Sequence, residues 1–240
     1  MESFLLSAAC VSMAAAAAAM FFLRDEKTSR VFGNVFWGVS FALVFICVAV
    51  MLANLVSLNC EYAYVYNHTD ASLPIVYRVS ALWAGQEGSL LTWLFFLGAA
   101  GFFVLNSKNA GKSGALFAAV ALAVALLCCF SRPFEKLAEA PLAGAGLNAA
   151  LQDPWMVVHP PLVFISYSLM AGLFSFLALP EKAAAKRKGE IVCWMRAGFA
   201  FLSAGIFTGC IWAYRALGWG GYWAWDPVEN MALVPWFVLL

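Results

Sequence analysis

The stretch VFGNVFWGVSFALVFICVAVMLANLVSL, residues 31–58, contains no aspartate, glutamate, lysine or arginine. A helix needs about 20 predominantly apolar residues to cross the hydrocarbon core of a bilayer, because each residue advances it by about 1.5 Å. In lipid every backbone N–H and C=O must be satisfied within the protein, and a helix does this by itself. The run predicts a transmembrane helix over Val31–Leu58. Outward from it, five more such runs follow: Phe4–Leu23, Leu90–Asn106, Gly114–Phe130, Pro161–Leu179 and Ile191–Tyr214. A seventh opens near Met231 and reaches Leu240 at about half the length a span needs. The expected fold is an all-α, polytopic transmembrane helical bundle, one membrane domain over residues 1–240. It has six full spans and a truncated seventh, and reads as the N-terminal portion of a longer protein.

Composition agrees. The chain is 64% hydrophobic and 11% charged, against roughly 45–50% apolar and about 25% charged in soluble domains. That leaves too little polar surface to coat a water-soluble globule. The net charge of +1 argues against a nucleic-acid partner, which asks for a basic face. The run Phe4–Leu23 is too long for the core of a signal peptide and lacks a preceding basic region, so it reads as a first span.

Basic residues orient the bundle. One set of short loops holds Arg24, Lys27, Arg30, Lys108, Lys112, Lys182, Lys186, Arg187 and Lys188; the alternate loops hold Arg78, Arg132, Lys136 and Arg215. The richer set is expected in the cytoplasm. The N-terminus and the long loops 59–89, 131–160 and 215–230 then face outward. For a bacterial protein this places the multi-pass chain in the inner membrane with a periplasmic working face. Only Arg196 falls inside a span, near enough to its end to snorkel. A proton- or ion-coupled transporter needs ionisable groups near the midplane, and the sequence offers none.

The seven cysteines are Cys10, Cys47, Cys60, Cys128, Cys129, Cys193 and Cys210, and no CxxC pair occurs among them. They read as small apolar fillers of helices. Cys128 and Cys129, as neighbours on a helix, are expected to point to different faces.

Three outward segments carry polar chemistry. Trp219-Gly220-Gly221-Tyr222-Trp223-Ala224-Trp225-Asp226-Pro227-Val228-Glu229-Asn230 is the densest in aromatics. It reads either as an aromatic belt at the headgroup level or as an apolar platform for a large, flat ligand, with indole and backbone N–H groups for its polar edge. Asp226 and Glu229 are expected to cap the helix that Pro227 opens. The second segment, Asp153-Pro154-Trp155-Met156-Val157-Val158-His159-Pro160-Pro161, places His159 at the outward mouth of the fifth span, which the two prolines are expected to open. That imidazole reads as a hydrogen-bonded structural residue or as an axial ligand to haem iron. The third segment runs from Tyr77 to Trp93. There Gln86 and Glu87 suit helix capping or ligand contact. Arg78 suits a propionate or a lipid phosphate equally. His68, in the sequon-like Asn67-His68-Thr69, reads as solvated. No residue stands out as an acid–base catalyst.

The three segments resemble, in order, the WWD-motif haem-handling family, of the cytochrome c maturation haem-lyase type (CcmF/NrfE) more than the related CcsA type. The Gln86-Glu87-Gly88 surroundings favour the former. The resemblance implies that b-type haem is presented as a substrate on the outer face, held by Trp219, Gly220, Gly221, Tyr222, Trp223, Trp225 and Asp226. His159 would be the first of two external axial histidines. It implies holocytochrome c synthase chemistry on the CxxCH segment of apocytochrome c, with a haem chaperone and thiol-reducing subunits as partners. Further haem ligands of the family lie beyond this segment, which is therefore expected to be inactive alone. Tyr222 stands where many relatives have Trp, and an aromatic face is retained. A haem exporter and a non-catalytic membrane scaffold remain as alternatives.

Overall fold

The computed structural model describes residues 2–107, 110–180, 184–218 and 220–240. Lys108, Lys182 and Trp219 lie outside the described residues. The described chain is helical. It runs α1 (Glu2–Phe22), α2 (Glu26–Ser57), short α3 (Ala63–His68) and α4 (Ile75–Ser80), then α5 (Gln86–Leu105), α6 (Gly111–Ser131), α7 (Pro154–Leu177), α8 (Lys188–Trp212) and α9 (Pro227–Leu239). Six of these, α1, α2 and α5–α8, are long and apolar enough to cross a membrane. The chain is an integral, multi-pass membrane protein.

Helix starts lie earlier than the apolar runs suggest, because polar caps recruit flanking residues. Asp25 accepts a hydrogen bond from the Thr28 amide at 2.8 Å and opens α2 ahead of Val31. The same effect corrects the expectation for the fifth span. Asp153 accepts from the Trp155 amide at 2.9 Å with Pro154 in the first turn, so α7 begins there. Pro160 and Pro161 consequently lie within α7 rather than at its mouth. Each proline lacks the N–H that would bond four residues back, which frees the carbonyls of Met156 and Val157. The Trp83 indole donates to the Met156 carbonyl at 3.2 Å and replaces one lost bond.

Lipid offers helices no hydrophobic incentive to associate, so small residues and interhelical hydrogen bonds hold the bundle. α1 packs on α2 and α6; α5 sits among α2, α6 and α7; α8 packs on α7, and α9 chiefly on α8. Trp37, fully buried, donates from its indole to Gly98 O at 2.9 Å. A Cβ at Gly101 would fall 2.1 Å from the same ring. Serine hydroxyls stitch neighbours: Ser12 to Phe36 O at 2.7 Å, Ser40 to Ala9 O at 2.9 Å and Ser166 to Gly198 O at 2.8 Å.

The two ends of the bundle are held differently. At the short-loop end, Arg187 donates to the hydroxyls of Ser107 (3.0 Å) and Ser113 (3.2 Å). At the other end the loops knit together. Ala63 N donates to Glu135 O at 2.9 Å, Leu137 N to Glu61 O at 2.8 Å and Ala145 N to Tyr66 O at 2.8 Å. The connection between α2 and α5 and that between α6 and α7 therefore join into one cap at the loop-rich end.

Candidate functional site

His159 lies in α7 near the loop-rich end, against α8. A side chain at position 209 of α8 would collide with it: a Cβ there would fall 2.8 Å from His159 Cε1. The bare glycine lets the imidazole lie on the α8 backbone. Its Nδ1 sits 2.7 Å from the Gly205 carbonyl oxygen. A carbonyl can only accept, so this bond puts the proton on Nδ1 and leaves the lone pair on Nε2. Neutral imidazoles that bind metals are commonly oriented in this way, one nitrogen tied to a backbone carbonyl and the other available. Trp212 runs nearly parallel to the ring, with centroids 6.2 Å apart and planes at 16°. The Trp212 indole is itself fixed by donation to Ala150 O at 2.8 Å.

The start of α7 is locked to the end of α8. Arg215 Nε donates to Asp153 Oδ2 at 2.9 Å, while Oδ1 of the same carboxylate caps Trp155. Asp153→Ala removes both functions and is expected to cost about 1–2 kcal/mol, mostly from the cap. Asp153→Asn retains the cap acceptor and is expected to lose less than about 1 kcal/mol, since the arginine is half exposed. Thermal unfolding in detergent, followed by circular dichroism, checks this; equal losses in the two variants would contradict it.

Beyond Trp212 the chain makes a π-helical turn over Ala213–Leu217 and enters the aromatic loop. Gly218 and Gly220 take left-handed φ of 68° and 72°, which glycine adopts freely. Trp225 adopts φ of 60° without that freedom, a conformation that costs an L-residue about 1–2 kcal/mol. Its indole stays largely exposed, 68%. Asn230 fixes the strained peptide by donating to Trp225 O at 3.0 Å. As the sequence predicts, Asp226 and Glu229 form a reciprocal cap. Asp226 Oδ1 accepts from Glu229 N at 2.7 Å, and Glu229 Oε2 accepts from Asp226 N at 3.2 Å. The Asp226 carboxylate is thus occupied by the backbone.

Under this loop, between α8 and α9, lies an apolar cavity of about 450 Å³ bordered by Phe207, Cys210, Trp223, Trp225, Leu233 and Trp236. Trp223 packs edge-on against Trp225 at 5.9 Å. The Trp223 indole N–H is buried and has no acceptor among the described residues. Tyr222 turns elsewhere and stacks on Tyr214 at 4.4 Å.

The structure gathers some of the residues expected to act together and separates others. Trp223 and Trp225 share the cavity. His159 meets Gly205, Gly209 and Trp212, whereas the cavity is lined by Ile206, Phe207 and Cys210. Successive helical residues turn by about 100°, so these are different faces of α8, and that helix stands between imidazole and cavity. Trp219 lies outside the described residues. Gln86 and Glu87 occupy the first turn of α5, but Gly85 takes the cap position without a side-chain bond. Arg78 is engaged by the loop carbonyls of Leu73 at 2.9 Å and Ala71 at 2.7 Å and by the carbonyl of Val56 in the last turn of α2 at 3.4 Å. It therefore braces the loop itself.

His68 is packed rather than solvated. It stacks on Tyr64 at 4.2 Å with Nδ1 2.8 Å from Tyr64 O. Tyr64 was not singled out by sequence, yet it organises the entry to α5. Its hydroxyl accepts from Gly85 N at 3.1 Å and faces Ala81 O at 2.8 Å, and burial pushes the phenol well above its ordinary pKa. Trp212 was also not singled out, since nothing in the sequence of that span marks its indole as a neighbour of His159.

Comparison with known proteins fits this layout. A family model described as cytochrome C assembly protein matches residues 83–240, from the Trp83 segment through the aromatic loop. The cytochrome c-type biogenesis protein NrfE of Haemophilus influenzae is 39% identical over 73% of this chain and 29% of its own length. The biogenesis protein CcmF of Escherichia coli is 35% identical over 73% of this chain and 29% of its own. A solved structure of the cytochrome c haem lyase CcmF matches with a TM-score of 0.77 at 25% identity, covering 99% of this chain and 39% of that one. The chain spans 29–32% of the length of the first curated relatives it matches. With two thirds of its length under the family model and its whole fold shared with a solved relative, the chain belongs to the cytochrome c assembly protein family.

Proposed function

We propose that this chain forms the haem-presenting part of a cytochrome c haem lyase, with its loop-rich end on the periplasmic side of a bacterial inner membrane. The proposal rests on the imidazole of His159, held by Gly205 O with its Nε2 lone pair free. Such a nitrogen suits haem iron. The aromatic loop complements it. Its cavity is apolar, and Trp223 offers an unused N–H to a polar edge. Because α8 separates cavity from imidazole, simultaneous use of both requires the loop to close toward α7, and Gly218 and Gly220 provide the pivots.

In this function b-type haem is the substrate. Each thiol of a reduced apocytochrome CxxCH segment adds across a haem vinyl; the S–C bond forms and the thiol hydrogen goes to the vinyl carbon. The protein's part is placement. Holding reactants in near-attack geometry contributes about 7–11 kcal/mol in favourable cases. A haem chaperone and a thiol-reducing subunit would supply the two reactants.

The test uses the full-length protein in sealed proteoliposomes, given haem and a reduced CxxCH peptide. A Soret band and peptide carrying haem through acid-stable thioethers are expected. Haem appearing in the lumen without acceptor or thioether would indicate an exporter instead. Absence of any Soret band would indicate a scaffold.

A further inference from the structure

The cysteines read as isolated fillers in the sequence, but the bundle brings two of them into contact. Cys10 of α1 and Cys129 of α6 lie with sulfurs 3.6 Å apart, although their positions are far apart in the chain. Cys129 is half-buried, whereas Cys10 is buried behind it. A pocket of about 310 Å³ at the loop-rich end opens onto Cys129, bordered by Ser3, Ser7, Arg132, Phe134 and Glu135. Polar side chains share this lining with Leu6, Pro133 and the Cys129 thiol.

We propose that Cys129 and Cys10 form a dithiol that reduces small disulfides entering this pocket. Three features combine. Cys129 alone of the pair borders the pocket, which makes it the attacking thiol. Arg132 shares that rim and gives it a charged, hydrophilic edge, though it also meets Glu135 at 3.9 Å. Cys10 stands at sulfur contact distance behind it, needing a closure of about 1.5 Å to reach disulfide bond length. A filler cysteine requires neither a pocket nor a second thiol.

The chemistry balances without another reagent. Cys129 sulfur attacks one sulfur of the disulfide, the S–S bond breaks, and the first thiol leaves with a proton. Cys10 sulfur then attacks Cys129 in the mixed disulfide and releases the second thiol. Two protein thiols are oxidised to one Cys10–Cys129 bond, and one disulfide is reduced to two thiols. An external dithiol returns the pair to its starting state. The product bond staples α1 to α6. This inference does not depend on haem binding, since none of its residues touches His159 or the aromatic loop.

The experiment is peptide mapping of the full-length protein in proteoliposomes after exposure to 2-hydroxyethyl disulfide. In the wild type, a Cys10–Cys129 cross-linked peptide is expected, two hydrogens lighter than the sum of its parts, with no stable adduct on either residue. In Cys10→Ser, the hydroxyethylthio group is expected to remain trapped on Cys129. In Cys129→Ser, Cys10 is expected to stay a free thiol. A stable adduct on Cys129 in the wild type, a bond from Cys128 in its place, or no reaction at the pair would each overturn the proposal.

Discussion

Replacing His159 with alanine is expected to weaken haem retention by the full-length protein by more than about 100-fold and, with it, thioether formation. The effect should exceed the 10–100-fold loss of affinity that removal of an outer hydrogen-bond partner typically brings to a metal site, because the ligand itself is lost. His159→Gly adds a sharper test. It opens space next to Gly209, and free imidazole at millimolar concentration is expected to restore the Soret band there but not in a variant bearing a bulky side chain. If haem content and cytochrome c yield are the same in His159→Ala as in the parent, the assignment of the ligand is wrong. Folding is not the expected point of failure. His159 contributes one bond to Gly205 O and a parallel contact with Trp212, while Asp153, Trp83 and the α7–α8 packing remain.

The second large effect concerns a residue with no polar side chain. Gly209→Ala is expected to weaken haem binding by about 10–100-fold, the range for displacing a partner that orients a ligand. Its Cβ would press into His159 at 2.8 Å and lever Nδ1 away from Gly205 O. A double-mutant cycle separates this from general damage. In the His159→Ala background, Gly209→Ala should change haem binding little, because there is no ring left to displace. Losses that simply add in the double variant would mean that position 209 acts through packing alone.

Much of the architecture was legible because lipid imposes one rule on the backbone. Each apolar run from Phe4 to Tyr214 became a helix, and the loops within 59–89 and 131–160 meet at one end. The limits of helices were less legible, because hydropathy does not register caps. Pro160 and Pro161 look like a helix opening only until Asp153 and Pro154 are given their due. At the site, the sequence singled out His159, the aromatic loop and the Asp226–Glu229 cap. It could not foresee that α8 divides the first two, nor that Gly209 seats the imidazole, because both depend on how one helix rotates against another. Tyr64 and Trp212 escaped for the same reason: each is an ordinary aromatic until its hydroxyl or indole finds a carbonyl. The contact between Cys10 and Cys129 joins two helices whose cysteines carry no mutual signal in the sequence.

The bond from Trp83 to the Met156 carbonyl makes α7 dependent on a neighbour. Where two prolines have deleted rungs from the helical ladder, the turn bearing His159 borrows support from the short segment ahead of α5. That segment is in turn anchored by Tyr64 and by the loop cap above it. The placement of the imidazole is therefore a property shared between remote parts of the chain. Disturbing the 59–89 cap should be felt at His159 Nε2 before it is felt in the bundle.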